Sequence, residues 1–390
     1  MVVQHNLTAM NSNRMLGITT GQQAKSSEKL SSGYKINRAA DDAAGLSISE
    51  KMRKQINGLD RASTNAEDGV SAVQTAEGAL TEVHSMLQRM NELAVQAANG
   101  TNSEDDRQAI QDEVDQLLTE IDRVAETTKF NETYLLKGDV NGNKSTMTLE
   151  LHDAGIKGSF NVADDGSKAT LTVDLTAGKT ITIAGTEYKI STQTDASKVG
   201  TGEITQASAV AEIQKALNKA NAIGTGNDTV SAANAPTAAN SVNFTITAQT
   251  VQAIKPLEFS LHVGADADMT NKINVGIDGM DTTSLGINKL NIKDKTGEMA
   301  TYAIDAIADA VAKVSAQRSA LGAVQNRLEH TIANLDNVVE NTTAAESRIR
   351  DTDMAEEMVE FSKNNILAQA GQSMLDQANT STQGVLSLLQ

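Results

Sequence analysis

Apolar side chains recur at alternating steps of three and four residues along residues 304–349. The positions on this stripe are Ile307, Val311, Val314, Arg318, Leu321, Gln325, Leu328, Ile332, Leu335 and Val339. No proline and only one glycine, Gly322, interrupts the run. The spacing predicts one long helix with a narrow apolar stripe, and such a stripe needs a partner helix. The polar Arg318 and Gln325 are either defects or residues that fix the register, and we favour register.

A second run near the other end of the chain keeps the same rhythm. Its positions are Met52, Ile56, Leu59, Ser63, Ala66, Val70, Val73, Glu77, Leu80, His84 and Leu87. It predicts a helix from about Leu46 to about Ala98, closed by a left-handed glycine cap at Asn99-Gly100. Because a strict seven-residue repeat winds helices around each other, the two runs predict an elongated antiparallel helical rod with a coiled-coil seam built from both chain ends.

A third helix is predicted after the chain reverses. Ser103 and Asp106 have the spacing of a capping box. The apolar positions that follow are Ile110, Val114, Leu117, Ile121 and Val124. This helix shares the seam of the other two.

The middle of the chain alternates between apolar and polar residues, which is typical of strands. The alternating apolar positions are Leu171, Val173, Leu175, Ile181, Ile183, Val242, Phe244 and Ile246. With a helical patch at 209–220 and a polar loop at 224–240, residues 140–256 are predicted to form an inserted α+β module. Residues 257–263 and 273–277 predict a β-hairpin that leads back to the rod.

Both chain ends have helical spacing but few apolar residues. Val3, Leu7 and Met10 start one sparse stripe, and Met354, Met358, Phe361, Ile366, Met374 and Leu375 start the other, which closes on Val385, Leu386, Leu388 and Leu389. Marginal helices do not hold alone in water. We therefore expect both ends to be disordered in the free monomer and to order against each other and against further copies.

These patterns divide a mainly α chain into five parts. Residues 1–45 and 350–390 are the two parts of a terminal coiled-coil domain, with an irregular connector at 31–45. Residues 46–139 and 257–349 are the two parts of the helical rod domain, the latter with the β-hairpin. Residues 140–256 are the inserted domain.

Composition narrows the function. The 390 residues include only 2% aromatic side chains, no tryptophan and no cysteine, and the net charge is -17. That charge opposes binding to nucleic acid or to an anionic membrane. No run approaches the roughly 18 apolar residues of a membrane span, and the first residues have no leader pattern. We expect neither nucleic-acid binding nor membrane insertion.

Candidate chemistry is sparse. The five histidines, His5, His84, His152, His262 and His330, stand apart, without a second ligand at the spacing of a metal site. The His-Glu-x-x-His pattern of zinc proteases is absent. We expect no enzyme activity, no catalytic or metal site and no cofactor.

Several stretches resemble bacterial flagellin, the filament subunit of the flagellum. At the N-terminal end they are 30–37 (LSSGYKIN), 41–46 (DDAAGL) and 87–94 (LQRMNELA), and at the C-terminal end 344–351 (AAESRIRD), 364–367 (NNIL) and 385–389 (VLSLL). The resemblance covers roughly residues 1–140 and 257–390, and the inserted module corresponds to the family's variable region.

The resemblance implies partners and a location. It implies a helical homopolymer outside the cell, export without a cleaved leader, an export chaperone on the C-terminal tail, and assembly under a filament cap. It also implies an epitope for the host Toll-like receptor 5 at Gln88, Arg89, Leu93 and Glu113. Host cytosolic sensors of this family read the terminal coil, here Val385, Leu386, Leu388 and Leu389.

The sequence therefore predicts a structural subunit that polymerises into the flagellar filament for swimming motility and is recognised by host innate receptors. Two alternatives stay open. One is a hook-filament junction protein, which assembles in few copies. The other is a surface-binding module, for mucin or another surface ligand, carried on a helical stalk.

Overall fold

The computed structural model describes residues 6–139, 141–163, 167–183, 186–191, 202–223, 232–238, 241–248 and 250–387. The chain is mostly helical, with a β-rich middle. The helices are α1 Leu7–Ser32, α2 Ala43–Ala98, α3 Glu104–Thr127, α4 Gln206–Asn221, α5 Thr282–Leu285, α6 Glu298–Arg350 and α7 Met354–Ser387. The strands are β1 Lys129–Phe130, β2 Thr133–Tyr134, β3 Lys144–Thr148, β4 Ser159–Val162, β5 Lys168–Asp174, β6 Thr180–Ile183, β7 Thr186–Ile190, β8 Glu203–Ile204, β9 Ala232–Ala238, β10 Ser241–Thr247, β11 Thr250–Ile254, β12 Leu257–His262 and β13 Lys272–Ile277.

The long C-terminal helix predicted from the stripe at 304–349 is confirmed as α6, which begins earlier than predicted, at Glu298. The Asp294 carboxylate accepts hydrogen bonds from the main-chain N–H groups of Gly297 and Met299. These bonds satisfy amides that have no partner inside the helix. A capping side chain before the apolar run therefore moves the start of α6 upstream.

The long N-terminal helix is confirmed as α2, but the glycine cap predicted at its end is wrong. Gly100 does not adopt a left-handed conformation. Instead the Asn102 side-chain amide donates to the carbonyl of Gln96 at 2.6 Å, and the Arg107 Nε donates to the carbonyl of Ala97 at 2.8 Å. Side chains from the following connector and from α3 thus occupy the carbonyls that a glycine cap would have served.

The capping box predicted for α3 is present. The Ser103 hydroxyl accepts from the main-chain N–H of Asp106 at 3.1 Å, and the Asp106 carboxylate accepts from the N–H of Ser103 at 3.0 Å. These hydrogen bonds from the Ser103 main chain and hydroxyl lower the pKa of the Asp106 carboxyl. Local sequence therefore fixes the start of α3 without help from the rest of the fold.

The described chain falls into two compact units. The terminal unit contains the residues up to Asn65, Val263–Asn271 and those from Thr331 onward, and the central unit contains Ala66–His262 and Lys272–His330. The helices α2 and α6 contribute residues to both.

The first core of the central unit joins α2, α3 and α6 to the β12–β13 hairpin. Its fully buried members include Leu80, Leu87, Met90, Ile121, Val275, Ile307 and Leu321. The predicted shared seam of three helices is thereby confirmed, and so is the hairpin, in which Leu257 pairs with Ile277 and Phe259 with Val275. The apolar stripes on three helices meet in one place because each is too narrow to form a core alone.

The second core of the central unit lies in the β-rich middle. A four-stranded sheet runs in the order β4-β5-β10-β9, and a three-stranded sheet in the order β6-β7-β8. The predicted alternating positions on β5, β6 and β10 are buried, and α4 confirms the predicted helical patch and adds Ile213 and Leu217 to the same core. Alternating residues face one side of a strand, which is why the pattern was readable from sequence.

The polar loop predicted at 224–240 is wrong for residues 232–238. These residues form the edge strand β9, paired with β10. An edge strand tolerates Pro236, which has no amide hydrogen, and it has no need of an apolar pattern when its partner supplies the register. The remaining residues of that prediction, 224–231 and 239–240, lie outside the described part of the chain.

Candidate functional site

The two terminal helices lie side by side and run antiparallel within the terminal unit. Near one end of the pair, the Asn6 side-chain amide donates to the carbonyl of Ala378 at 3.1 Å. Near the other end, the Lys29 ammonium lies 3.3 Å from the Glu357 carboxylate. These two contacts fix the register of α1 against α7.

Caps define the ends of both helices. The Asn6 side-chain oxygen accepts from the N–H of Ala9 at 3.0 Å at the start of α1, and Gly33 closes α1 with a φ of 77°. At the start of α7 the Asp353 carboxylate accepts from the N–H groups of Ala355 and Glu356. Helical structure at both chain ends is therefore locally encoded, although the apolar pattern is sparse. The expected disorder of these ends concerns the free monomer in solution and stays a prediction.

The side of each helix that is turned toward its partner carries mostly small and polar residues, with large apolar residues at only four of its fourteen positions, Leu16, Leu30, Phe361 and Leu375. We call these positions the pairing face; they repeat at alternating steps of three and four residues, as in a coiled coil. On α1 they are Ala9, Ser12, Leu16, Thr19, Gln23, Ser26 and Leu30, and on α7 Glu357, Phe361, Asn364, Ala368, Gly371, Leu375 and Ala378. The pairing face buries few large apolar side chains, so the hydrophobic contribution to this helix pair is small.

Further large apolar residues lie on the exposed sides of the two helices. We call this set the outward face; its members are Leu7, Met10, Met15 and Ile18 on α1 and Met354, Met358, Val359, Ile366, Leu367 and Met374 on α7. Leu7 is 74% exposed, Val359 70% and Ile366 66%. Single exposed apolar residues are ordinary, but a row of them along one helix pair marks an interaction surface.

The predicted terminal residues differ in where the structure places them and in how much of each it describes. Leu7 and Met10 lie on the outward face of α1. Val385 and Leu386 fall in the last turn of α7, where only the main chain is described. Val3, Leu388 and Leu389 lie outside the described residues.

The connectors that join the terminal helices to the long helices also meet within the terminal unit. Tyr34 and Asp351 form an isolated antiparallel bridge, and the N–H of Lys35 donates to the carbonyl of Arg350 at 2.6 Å. The Arg350 guanidinium lies 4.7 Å from the centre of the Tyr34 ring and 2.9 Å from the Glu50 carboxylate. The predicted irregular connector is thus an ordered joint between main chains that are far apart in sequence.

The residues that the resemblance assigns to receptor recognition lie in the central unit. Gln88 and Arg89 on α2 and Glu113 on α3 are exposed, whereas Leu93 is only 1% exposed and packs in the first core. The Arg89 guanidinium lies 2.9 Å from Glu113 and 3.2 Å from Glu92. Hydrogen bonds to the carboxylates of Glu113 and then Glu92 raise the pKa of Arg89. The structure therefore brings three of the four residues to one surface and puts the fourth beneath it.

Sequence reasoning missed three polar residues of α3 that hold the segment before α6. Besides Ala97, the buried Arg107 guanidinium donates to the carbonyls of Asn99 at 3.1 Å and Lys295 at 3.3 Å. Gln111 donates to the carbonyl of Leu290 at 2.9 Å and accepts from the N–H of Ile292 at 2.7 Å.

The third residue, Asp122, accepts from the N–H and the hydroxyl of Thr282 at 2.8 and 3.0 Å. A signal was present for the first two residues, because Arg107 and Gln111 fall on the apolar phase of α3, where a polar residue indicates a buried hydrogen bond.

Within the residues that the structure describes, no helix is both long and apolar enough to cross a membrane. The family to which the chain belongs is a separate question.

Comparison with known proteins answers it. Residues 3–141 match the bacterial flagellin N-terminal helical region, and residues 304–389 match the bacterial flagellin C-terminal helical region. The chain is 45% identical to a flagellin of Clostridium tyrobutyricum over 98% of this chain and 100% of that one. It is 41% identical to a flagellin of Halalkalibacterium halodurans over the full length of both.

A solved structure of flagellar hook associated protein-3 from Legionella pneumophila is also similar, at 14% identity over 77% of this chain and 98% of that one, with a TM-score of 0.41. A likeness that weak carries no argument for the hook-filament junction alternative. The full-length flagellin relatives and the two matched end regions show that this chain belongs to the bacterial flagellin family and is a structural filament protein, not an enzyme.

Proposed function

We propose that the chain is the subunit of the flagellar filament that drives swimming, and that the outward face of its terminal helices makes the contacts between subunits. The observation that carries this proposal is the set of exposed large apolar residues on α1 and α7, two helices whose pairing face is mostly small and polar. A head-to-tail contact between identical chains that does not close on itself generates an open helical polymer.

The energetics favour ordering of these helices during assembly. Coupled folding and binding costs about 2–5 kcal/mol of the gross contact energy. Fully burying one large apolar side chain contributes about 1.5–3 kcal/mol. Burial of a few outward-face residues such as Met358, Val359 and Ile366 therefore offsets the ordering cost.

A double substitution on the outward face tests the proposal. Val359→Ser with Ile366→Ser removes apolar area without touching the pairing face, and we expect the critical concentration for growth on filament seeds to rise at least about tenfold. Gln369→Ser with Gln372→Ser is the matched control on exposed polar positions of the same helix. Elongation of the doubly substituted chain at the wild-type rate would overturn the proposal.

Deletion gives a coarser version of the same test. A chain without residues 1–40 or without residues 355–390 lacks one partner of the helix pair, and we expect no growth on seeds in electron micrographs. Long tubes from the intact chain support the filament subunit. A small oligomer of fixed size supports the hook-filament junction protein, and isolated rods with ligand affinity support the surface-binding module.

We further propose that the chain is secreted through the flagellar export apparatus, with an export chaperone on α7 and a filament cap at the growing tip. The support is the exposed apolar groove of α7 lined by Met358, Val359, Ile366 and Leu367, which needs cover before assembly. Co-purification of α7 with a chaperone from the exporting cell tests this, with the Val359→Ser, Ile366→Ser chain as the variant expected to bind less.

The five-part domain division is part of the same proposal. Limited proteolysis of the monomer tests it, since cuts are expected first near residues 45 and 350 and in the middle module, and last inside α2 and α6. First cuts within the central part of α2 would count against the division.

We also propose that host Toll-like receptor 5 recognises the exposed patch formed by Gln88, Arg89 and Glu113, with Leu93 as support beneath it. The patch is supported by the Arg89–Glu113 ion pair, which orders two long side chains across α2 and α3. Arg89→Ala is expected to weaken binding to the receptor ectodomain by about tenfold, since arginine is often a dominant contact residue. Arg123→Ala, at the exposed Arg123–Glu120 pair of α3, is the matched control and is expected to leave binding unchanged.

We propose that host cytosolic sensors bind the terminal coil, with Val385, Leu386, Leu388 and Leu389 as its contact residues. Replacement of all four by serine is expected to abolish sensor activation while binding to Toll-like receptor 5 persists. Full activation by that variant would remove these residues from the proposal.

A further inference from the structure

The pairing face contains a buried amide that makes no hydrogen bond. Asn364 on α7 is 1% exposed, and neither its side-chain nitrogen nor its side-chain oxygen has a hydrogen-bond partner among the described residues. The register set by Asn6 with Ala378 and by Lys29 with Glu357 brings Gln23, another amide, level with Asn364. A polar layer therefore interrupts the helix pair near its middle.

A buried amide without a partner destabilises the state that buries it, because it gives up its hydrogen bonds to water and receives none in return. The neighbouring layers, with Phe361 and Leu16 as their large apolar residues, offset this only in part. Ser26 is buried beside it, Gly371 offers no side chain, and one Glu357 oxygen also lacks a partner. In coiled coils a single buried asparagine commonly costs stability and fixes the alignment of the helices.

The same helix pair determines whether the two parts of the outward face are held in one fixed register. Leu7, Met10, Val359 and Ile366 lie along the pair only when α1 and α7 are both helical and in this register. A monomer that keeps the pair closed displays both parts of this apolar face, one on each helix, and associates with other monomers in free solution. A monomer that keeps the pair open does not.

We infer that Asn364 holds the terminal helix pair open in the free chain and so restricts polymerisation to contact with an existing filament end, in the register that the assembled helices require. This inference rests on the proposed filament function and adds to it the residue that keeps unseeded assembly slow. In the filament, the outward-face contacts offset the cost of burying the amide. The free chain lacks those outward-face contacts.

Two substitutions of opposite sign test the inference in the full-length chain. Asn364→Leu replaces the amide by an apolar side chain of similar size, and we expect hydrogen exchange of α1 and α7 amides in the monomer to slow by about tenfold and the critical concentration for unseeded assembly to fall by a similar factor. Asn364→Asp buries a carboxylate, and we expect faster exchange and slower growth on seeds.

Asn365→Leu is the matched control, because it makes the same change at the next residue, which is only half-buried. It is expected to leave monomer exchange within about twofold of wild type. Equal exchange protection in Asn364→Leu, Asn365→Leu and wild-type monomers would overturn the inference. Seeded growth of the wild-type chain is measured in the same series, and its absence would instead overturn the proposed function.

Discussion

At the residue scale, the most consequential side chain that sequence reasoning overlooked is Arg107. It is 2% exposed and donates hydrogen bonds to main-chain carbonyls at the end of α2 and in the segment before α6. A buried guanidinium is tolerated only where its donors are used, and carbonyls at a helix end are suitable acceptors because they have no partner in the helix. Arg107 thereby links the end of α2 to a segment that lies 187–188 residues beyond Arg107 in the chain.

Arg107→Met is expected to destabilise the central unit by about 1–3 kcal/mol, since carbonyls that it satisfied are left buried without a donor. Denaturant unfolding followed by circular dichroism measures this. Arg123→Met is the matched control on the same helix, and its exposed side chain predicts a change within about 0.5 kcal/mol. Equal stabilities for the two variants would show that Arg107 is not the link we describe.

Tyr302 is a second residue whose surroundings have a measurable consequence. It is 5% exposed in the second core, and its hydroxyl has no hydrogen-bond partner among the described residues. Burial, followed by the nearby charges of Glu298 and Asp294, raises the pKa of Tyr302 to about 12. The folded chain therefore keeps the phenol neutral at a pH where the unfolded chain ionises it.

Because the folded pKa is raised, the stability that the neutral phenol contributes is fully present below pH 10 and is lost between pH 10 and about 12. The loss is about 1.4 kcal/mol per pH unit in that window. Tyr302→Phe removes both the titration and the unpaired hydroxyl, so its stability relative to wild type is expected to increase from pH 9 to pH 11. Unfolding curves at both pH values measure this, and Tyr134→Phe, at an exposed ring, should show no such increase.

At the element scale, the helices were the most predictable part of the fold. The stripes predicted α2, α3 and α6 because a repeat sustained over many turns leaves no other structure that buries it. Strands β5, β6, β10, β12 and β13 were also readable from alternation. Strand β9 was not, since an edge strand takes its register from its neighbour, and the end of α2 was not, since its acceptors are satisfied by side chains from another helix.

Replacing glycine by alanine should change the stability of the chain in opposite directions at two positions. Gly297, just before α6, has a φ of 83°, and a Cβ there would lie 2.9 Å from the carbonyl oxygen of Ala98. Gly78 lies within α2 with nothing within 4 Å of a Cβ. Gly297→Ala is expected to destabilise the central unit by at least about 1–2 kcal/mol, and Gly78→Ala to stabilise it by about 0.5–1 kcal/mol.

Thermal and denaturant unfolding of both variants beside wild type measures these changes. The two substitutions are the same, so their difference reports the backbone conformation and the space at each position. A stabilising Gly297→Ala would mean that the junction before α6 relaxes without cost.

At the scale of the whole molecule, the central cores and the proposed assembly surface lie in different units. None of the described side chains of α1 or α7 belongs to either core of the central unit. The outward face, in contrast, belongs entirely to the terminal helices. Such a division lets the ends change state while the rest of the chain stays folded.

A chain trimmed to residues 43–350 is therefore expected to unfold with the same denaturant midpoint as the full-length chain and to give no filament on seeds. Urea unfolding followed by circular dichroism and electron microscopy of seeded samples measure the two halves of this prediction. The full-length chain, treated in parallel, is the control. A lowered midpoint would mean that the terminal helices also support the central cores.

The sequence by itself determined the long helices and the strands that alternate, that the net charge opposes polyanionic partners, and that the two ends resemble those of bacterial flagellins. It could do so because periodicity and caps act over a few residues, within one element. Only the tertiary structure decided that the terminal helices turn mostly small and polar residues toward each other and leave many large apolar residues exposed, and that Arg107, Gln111 and Asp122 hold distant main chain. A stripe shows that a face will be covered, but what covers it depends on where segments hundreds of residues apart come together.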